Sequence, residues 1–149
     1  MPSGEPAYRG KAALVVDDDR VVRLILRRFL EGLGFCVEEA ADGASALRTA
    51  ERTDIHLVIT DLSMPGMDGM EFFRKARGSG LEAPVIFLTA VGTVTKAREA
   101  LRAGASDFID KPLRIKRLEE AVRSAMSSRS SGSGSMSIDI DLSDITKLP

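Results

Sequence analysis

The chain has 149 residues with 21 basic and 22 acidic side chains, so its formal net charge is only -1 at pH 7. This length predicts a single domain with a sizeable core, and the balanced charge argues against a nucleic-acid-binding surface or a polyanionic tail. The single cysteine, Cys36, excludes an internal disulfide and a zinc site built from cysteines. We expect a soluble cytosolic protein, because no apolar run could span a bilayer and residues 1–11 lack the apolar segment of a signal peptide.

The first part of the chain predicts a flexible leader, a buried strand and an amphipathic helix. Residues 1–10 are rich in Pro and Gly, which is typical of a leader. The run Ala12–Val16 is apolar without alternation, as in a central strand covered on both faces, and the acids of residues 17–19 follow it. A helix that ends near Gly34 is indicated by apolar residues at helical spacing, namely Val22, Ile25, Leu26, Phe29, Leu30 and Leu33.

The next strand and helix are shorter and more polar. Residues 35–40 predict a strand at or near a sheet edge, in which Cys36 is interpreted as a small buried residue. Asp42 is placed to cap an Ala-rich helix over residues 44–52.

A third strand, Leu57–Asp61, is apolar until it delivers the Asp61 carboxylate to its carboxyl end. A loop with Pro and Gly over residues 62–69 then takes the backbone out of the sheet, and a helix capped by Asp68 runs through Arg77. An isolated acid in this place is as compatible with a turn cap as with a ligand site at the edge of a sheet. The other strand ends decide between the two interpretations.

The last two strands and their helices follow the same order. A strand over residues 84–88 is followed by Thr89, and a weakly apolar helix is predicted over residues 93–103. A short strand at residues 106–109 leads into Asp110 and Lys111, and a final helix runs to about Ser127. The inward face of the fourth helix is predicted to consist of Val94, Ala97 and Leu101.

The C-terminal part differs in composition from the domain over residues 11–127. Residues 128–135 are almost wholly Ser and Gly, which predicts a flexible linker. Met136 then opens a segment, residues 136–149, in which acidic and apolar side chains are interleaved. The Gly-Ser seam before an internal methionine indicates an engineered fusion, and we interpret the segment as a fused partner peptide.

Five strands that alternate with five helices predict an α/β fold with a parallel sheet covered by helices on both faces. In such a sheet the carboxyl ends of the strands lie at one edge. Three close carboxylates there suit Mg²⁺, and a lysine adds positive charge, so that a carboxylate beside both is suited to attack phosphorus. The strand-end residues that we expect to gather are Asp17, Asp18, Asp61, Thr89 and Lys111.

Residues 11–126, approximately, resemble the receiver domain of two-component response regulators. The resemblance covers the order of elements and four motifs jointly: the acidic pair, the DLSMPGMDG loop that begins at Asp61, Thr89-Ala90 and Lys111-Pro112. It implies a flavodoxin-like, doubly wound sheet in the order 2-1-3-4-5, with a bound Mg²⁺. It also implies a regulatory domain that catalyses only its own phosphorylation and dephosphorylation.

The resemblance implies a role for each residue at the edge. Asp61 is the phosphoacceptor, and Lys111 pairs with the phosphoryl group. Thr89 and Phe108 match the switch pair, in which the hydroxyl moves toward the phosphate and the aromatic ring turns inward. The peptide bond before Pro112 is often cis in this family. The implied Mg²⁺ ligands are the carboxylates of Asp17, Asp18 and Asp61 and the main-chain carbonyl of Ser63.

Three further residues are open to more than one interpretation. Asp19 is placed either to cap the first helix or to contact a metal-bound water, and the cap is favoured. Val91 offers no polar group to position an attacking water, which predicts slow loss of the phosphate. His56 precedes the third strand, far from the predicted edge, so a structural role is favoured over phosphotransfer.

The predicted function is a phosphorylation-dependent signalling switch in the cytosol, without membrane or direct nucleic-acid binding. Its expected partners are a histidine kinase or phosphotransfer protein, and a downstream protein on the face of helix 4, strand 5 and helix 5. The fused segment over residues 136–149 is a candidate occupant of that face. The basic residues predicted to form it are Lys96, Arg98, Arg102, Arg114, Lys116 and Arg117.

Two other functions fit part of the pattern. A Mg²⁺-dependent phosphohydrolase also uses an aspartate nucleophile at a strand end, but it would normally carry a second acid nearby, where this chain has Ser63. A receiver that only binds proteins is disfavoured, because all five strand-end residues are retained.

Overall fold

The computed structural model describes residues 7–90 and 94–131, in which five strands alternate with five helices as predicted. The elements in chain order are β1 (Ala12–Val16), α1 (Arg20–Gly32), β2 (Cys36–Ala40), α2 (Gly43–Arg52), β3 (Leu57–Asp61), α3 (Gly69–Gly78), β4 (Val85–Thr89), α4 (Val94–Arg102), β5 (Asp107–Asp110) and α5 (Ile115–Ser131). Among these helices, none has both the length and the apolar character needed to cross a bilayer.

Helix α5 extends to Ser131, beyond its predicted end near Ser127. Ser and Arg occupy residues 128–131, and a helix tolerates both, whereas the first glycine of the predicted linker is Gly132. The start of that linker is therefore helical. Val91 and residues 132–149, which include the proposed partner peptide, lie outside the described residues.

The strands form one parallel sheet in the order β2-β1-β3-β4-β5, which confirms the predicted flavodoxin-like, doubly wound fold. Strands β3 and β4 are buried at every residue, and β1 is buried except at Ala12. Burial on both faces explains why these strands are apolar without alternation.

Two apolar layers enclose the sheet because successive strand residues point to opposite faces. Leu14 of β1 and Val58 of β3 belong to the layer that packs against α2, α3 and α4. Their neighbours Val15 and Ile59 belong to the layer that packs against α1 and α5. The polar groups at the strand ends are thus carried by strands that the core holds from both sides.

Aspartates cap three of the helices. Asp19 accepts the main-chain N–H groups of Val21 at 2.9 Å and Val22 at 3.4 Å, which confirms its role as the cap of α1. Asp42 caps α2, and Asp68 caps α3. The caps set where each helix begins after its strand.

Cys36, which was predicted to be buried, and Ile25, one of the apolar residues at helical spacing in α1, are exposed. Cys36 is exposed because it lies on the edge strand β2, where Val37 and Ala40 point into the apolar layers instead. Ile25 is 40% exposed, since it lies at the border of the α1 stripe, whose fully buried residues are Leu26 and Leu30.

The orientation predicted for α4 is also wrong at one position. Leu101 is 39% exposed, whereas Ala97 and Ala100 are completely buried. The helix thus buries the small side chains of Ala97 and Ala100. Leu101 belongs to the exposed surface of α4.

The loop from β3 to α3 runs very close to the start of α3. The N–H of Gly69 donates to the main-chain oxygen of Leu62 at 2.9 Å. A Cβ at position 69 would lie 2.9 Å from Leu62 Cα and would overlap the main-chain oxygen of Asp61. Glycine at this position therefore fixes the backbone that carries the Asp61 carboxylate.

We expect Gly69→Ala to lower the free energy of unfolding by about 1–3 kcal/mol, because the added Cβ must displace backbone atoms of residues 61 and 62. Urea denaturation followed by circular dichroism is the suitable measurement, since the chain has no tryptophan. The matched control is Gly78→Ala in the same helix, where an added Cβ meets open space. That control should change stability by less than about 1 kcal/mol, and an equal effect of both substitutions would contradict the close approach.

Candidate functional site

The carboxyl ends of the strands bring the predicted site residues to one edge of the sheet. Asp17 follows β1, Asp61 ends β3, Thr89 ends β4 and Lys111 follows β5. Asp17, Asp61 and Thr89 have exposed fractions of only 0%, 7% and 2%. Asp18 is exposed, so the site opens to solvent on that side.

The carboxylates of Asp17, Asp18 and Asp61 form a compact cluster of oxygens, with one oxygen of each within 4.8 Å of the others. Asp17 Oδ1 accepts the main-chain N–H of Asp19 at 2.8 Å. Arg23 Nη1 donates to the main-chain oxygen of Asp17 at 2.6 Å. Asp17 is therefore held through both its side chain and its main chain. Arg23 was not among the site residues predicted from the sequence.

Lys111 provides the positive charge of the site. Its Nζ lies 3.1 Å from Asp17 Oδ2 and 3.3 Å from Asp61 Oδ2, so that one ammonium group bridges two buried carboxylates. Asp61 Oδ1 accepts the main-chain N–H of Ser63 at 3.1 Å. The Asp61 carboxylate is thus oriented from two sides.

The surroundings raise the pKa of Asp17 and the pKa of Lys111. Burial raises the pKa of Asp17 above its ordinary value of 3.8, and the charge of Asp61 adds to this, although the Asp19 N–H and Lys111 oppose it. Burial lowers the pKa of Lys111, but the close contacts with the negative charges of Asp17 and Asp61 outweigh this effect and raise its pKa above 10.5. One buried carboxylate therefore remains incompletely stabilised by the protein alone.

The donor set fits a hard divalent cation, because all three clustered side chains offer carboxylate oxygens. Asp17 Oδ2 is buried and has Lys111 Nζ as its ion-pair partner, but no donor is aligned with it for a hydrogen bond. A buried carboxylate oxygen without a hydrogen-bond donor is unfavourable in a protein core, but an oxygen of this kind can serve as a ligand of a metal ion.

Thr89 and Phe108 lie on neighbouring strands beside the cluster. Thr89 Oγ1 donates to Asp110 Oδ1 at 3.0 Å and lies 3.5 Å from the main-chain oxygen of Ile109. Phe108 is half-buried against the apolar layer of α2, α3 and α4. Asp110 was not among the predicted site residues, and its only signal in the sequence was its place directly before Lys111.

The Lys111-Pro112 peptide bond is cis. The main-chain N–H of Lys111 donates to the main-chain oxygen of Thr89 at 2.8 Å, so the end of β5 is tied to the end of β4.

The basic residues of the predicted partner face lie on α4 and on α5, except for Arg114, which directly precedes α5. These two helices follow the strands β4 and β5 at one end of the sheet. Arg117 is half-buried, and its guanidinium donates to both carboxylate oxygens of Asp107, at 3.0 and 3.2 Å, and to the main-chain oxygen of Phe108 at 2.9 Å. Glu99 and Glu120 are exposed on the same helices, so the face is less basic than its cations alone suggest. The exposed basic residues are Lys96, Arg98, Arg102, Arg114 and Lys116.

His56 lies at the start of β3, at the opposite edge of the sheet from the cluster. Its Nδ1 accepts the main-chain N–H of Ala12 at 3.0 Å, and its own main-chain N–H donates to the oxygen of Ala12 at 2.8 Å. The side chain joins the beginnings of β1 and β3, which agrees with the structural interpretation.

A parallel sheet of this order that gathers an acidic cluster and a lysine at one edge defines a receiver-type regulatory domain. The family model for the response regulator receiver domain matches residues 13–123. The chain belongs to this family. It is therefore a phosphorylation-dependent switch domain of two-component signalling.

Curated relatives agree with this assignment. The response regulator MprA of Mycobacterium leprae (strain TN) is 36% identical over 136 residues, which cover 91% of this chain and 60% of MprA. MprA of Mycobacterium tuberculosis (strain ATCC 25618 / H37Rv) is 37% identical, with 91% and 59% covered. The chain thus spans only about 60% of the length of these relatives.

Solved structures show the same fold. The crystal structure of FixJ-N is 34% identical with a TM-score of 0.73, and the match covers 80% of this chain and 95% of that chain. A receiver domain protein from Clostridium thermocellum is 30% identical with a TM-score of 0.74, covering 80% and 97%.

We expect Asp17→Asn to raise the free energy of unfolding of the protein in EDTA by about 0.5–2 kcal/mol at neutral pH, because it removes a buried carboxylate whose ionised form is disfavoured. The pKa of Asp17 in the folded protein lies above the value of 3.8 expected for the unfolded chain. Between the pKa of the unfolded chain and the higher pKa of the folded protein, the native state binds more protons than the unfolded chain, so the contribution of Asp17 to stability falls as pH rises through this range. The gain in stability of Asp17→Asn should be largest above this pH range and smallest below it.

Asp42→Asn is the matched control. Asp42 caps α2 and is not one of the clustered carboxylates, and its pKa is lowered by the main-chain N–H of Ser45, so removing its charge should not stabilise the protein at neutral pH. Urea denaturation at several pH values measures both variants. An Asp17→Asn protein that is less stable than wild type in EDTA at neutral pH would show that the Asp17 carboxylate is fully stabilised by the protein.

Proposed function

We propose that Asp61 is the phosphoacceptor of this receiver domain and takes a phosphoryl group from a phosphohistidine of a histidine kinase or phosphotransfer protein. The observation that carries this proposal is the environment of Asp61. It is a buried carboxylate at a strand end, 3.3 Å from the Lys111 ammonium and beside the carboxylates of Asp17 and Asp18. A nucleophile at phosphorus needs neighbouring positive charge, and Asp61 is surrounded by groups that supply or attract it.

The residues of the chain hold and orient the nucleophile. The N–H of Ser63 restrains one oxygen of Asp61. In the transfer, an oxygen of Asp61 forms a bond to phosphorus as the N–P bond of the donor breaks, and the electron pair of that bond stays on the imidazole. Lys111 moves its contact from the Asp61 carboxylate to a phosphoryl oxygen. Asp17, Asp18, Asp61 and the main-chain carbonyl of Ser63 would hold Mg²⁺, which would supply further positive charge near the phosphoryl oxygens.

The signal is read on the face of α4, β5 and α5 by a downstream protein in the cytosol. The hydroxyl of Thr89 moves to the phosphoryl group, and Phe108 turns inward. Support for this route comes from the position of both residues, which lie between the cluster and the β5 edge of the sheet. The domain itself binds neither membrane nor nucleic acid.

The geometry favours a phosphoacceptor over a Mg²⁺-dependent phosphohydrolase. A hydrolase needs a general acid close to its nucleophile to protonate the leaving group. Two positions after Asp61 the chain has Ser63, and its N–H orients Asp61. The buried, oriented carboxylate also argues against a domain that serves only for protein binding.

We propose in addition that residues 136–149 bind the face of α4, β5 and α5 as a partner segment. Asp139, Asp141 and Asp144 alternate with apolar residues in this segment. The face offers exposed cations together with the partly exposed apolar side chains of Leu101 and Ile115. The segment is tethered close to the end of α5 at Ser131, so its effective concentration at the face would be on the millimolar scale.

Acetyl phosphate with Mg²⁺ should phosphorylate the wild-type chain once and leave Asp61→Asn unmodified, because an amide oxygen is a poor nucleophile. Intact-protein mass spectrometry measures the incorporation. Asp68→Asn in the same loop is the matched control, since asparagine also caps a helix and incorporation should match that of wild type. EDTA should prevent incorporation, and equal labelling of wild type and Asp61→Asn would refute the assignment.

The docking of the segment is tested by the combined substitution of Asp139, Asp141 and Asp144 by Asn in the full chain. We expect the amide chemical shifts of α4 and α5 to change in NMR spectra, because the loss of three charges releases the segment from the basic side chains. The matched control replaces the same residues by Glu and keeps the charge, so its spectrum should stay near that of wild type. Unchanged α4 and α5 shifts in the Asn variant would reject docking.

A further inference from the structure

The hydroxyl group of Thr89 already has an acceptor in the protein. Thr89 Oγ1 donates to Asp110 Oδ1 at 3.0 Å, which is a good distance for a charge-assisted hydrogen bond. The alternative acceptor, the main-chain oxygen of Ile109, lies at 3.5 Å. Thr89 is only 2% exposed, whereas Asp110 is exposed.

The pairing of Thr89 with Asp110 follows from the sheet. The two residues are direct partners in the parallel register of β4 and β5. The N–H of Lys111 donates to the main-chain oxygen of Thr89 at 2.8 Å and holds this register at the strand ends. Asp110 therefore stands next to Thr89 on one side, while the next residue in the chain, Lys111, reaches Asp61 on the other.

A threonine hydroxyl has one proton to donate. An ionised phosphoryl group has only acceptor oxygens, so a hydrogen bond from Thr89 to that group needs this same proton. The hydrogen bond to Asp110 and the hydrogen bond to the phosphoryl group therefore exclude each other. Every phosphorylation event has to break the first in order to form the second.

We propose that Asp110 is a positioning residue that holds Thr89 in its unphosphorylated orientation and competes with the phosphoryl group for the Thr89 proton. This inference rests on the proposed role of Asp61 as the phosphoacceptor. The acceptor at position 110 sets the fraction of molecules in which the Thr89 hydroxyl is not bonded to it. The affinity for a phosphoryl group scales with that fraction.

Beryllofluoride with Mg²⁺, which imitates a phosphoryl group on a carboxylate, is the probe for this competition. Isothermal titration calorimetry on the full chain gives its affinity for wild type, Asp110→Ala, Asp110→Asn, Thr89→Ala and the double variant Thr89→Ala/Asp110→Ala. We expect Asp110→Ala to bind about fivefold more tightly than wild type, since one hydrogen bond of ordinary strength is no longer broken. Asp110→Asn keeps an acceptor oxygen and should stay closer to wild type.

The double variant separates this role from a general effect of charge. If Asp110 acts through Thr89, replacing it in the Thr89→Ala background should leave the affinity unchanged. A gain of the same size in both backgrounds, or equal gains for Asp110→Ala and Asp110→Asn, would assign the effect to the lost negative charge and overturn the inference. Equal affinities of wild type and Asp110→Ala would overturn it too.

A second measurement needs no phosphoryl analogue. Three-bond couplings to the Thr89 methyl carbon in the free protein should indicate one χ1 rotamer in wild type and an average of rotamers in Asp110→Ala. Identical couplings in both proteins would contradict the positioning role. A wild-type chain that takes no phosphate from acetyl phosphate would instead refute the role of Asp61, while the couplings still decide the role of Asp110.

Discussion

The ammonium group of Lys111, placed between the carboxylates of Asp17 and Asp61, is the interaction on which the site depends. It allows two acids to remain close together in a buried place, where their mutual repulsion and the cost of burial would otherwise expel or protonate one of them. The compensation is incomplete, as the raised pKa of Asp17 and its buried oxygen without an aligned donor indicate. The remaining unfavourable negative charge is consistent with the proposed binding of Mg²⁺ at this site.

The parallel sheet makes this cluster possible by holding each strand end with main-chain hydrogen bonds. The main-chain N–H groups of Lys111, Leu62 and Asp17 donate to the main-chain oxygens of Thr89, Leu88 and Ala40, respectively. The backbone at each of these strand ends is therefore held by a neighbouring strand. Gly69 adds the close approach of α3 behind Asp61. The apolar layers on both faces supply the stability that a cluster of like charges takes away.

The sequence predicted the strands, their order of alternation and the gathering of acids at one edge, because an apolar run that ends in an acid is a local feature. The direction in which the side chains of a helix point was less predictable. Leu101 was assigned to the inward face because it is apolar and follows Val94 and Ala97 at helical spacing, whereas packing against the sheet selects Ala97 and Ala100. The contact between Thr89 and Asp110 depends on the register of β4 with β5, which is a property of two strands together and has no signal in either one.

Arg117 connects the proposed partner face to the strand beside the acidic cluster. Its guanidinium joins α5 to β5 through the side chain of Asp107 and the main-chain oxygen of Phe108. Any displacement of the β5 backbone at Phe108 therefore acts directly on α5. Asp110, at the other end of β5, accepts the hydrogen bond of Thr89. The short strand β5 therefore links the acidic cluster to the proposed partner face, and a change in the Thr89 hydrogen bond would alter one end of the strand whose other end Arg117 holds.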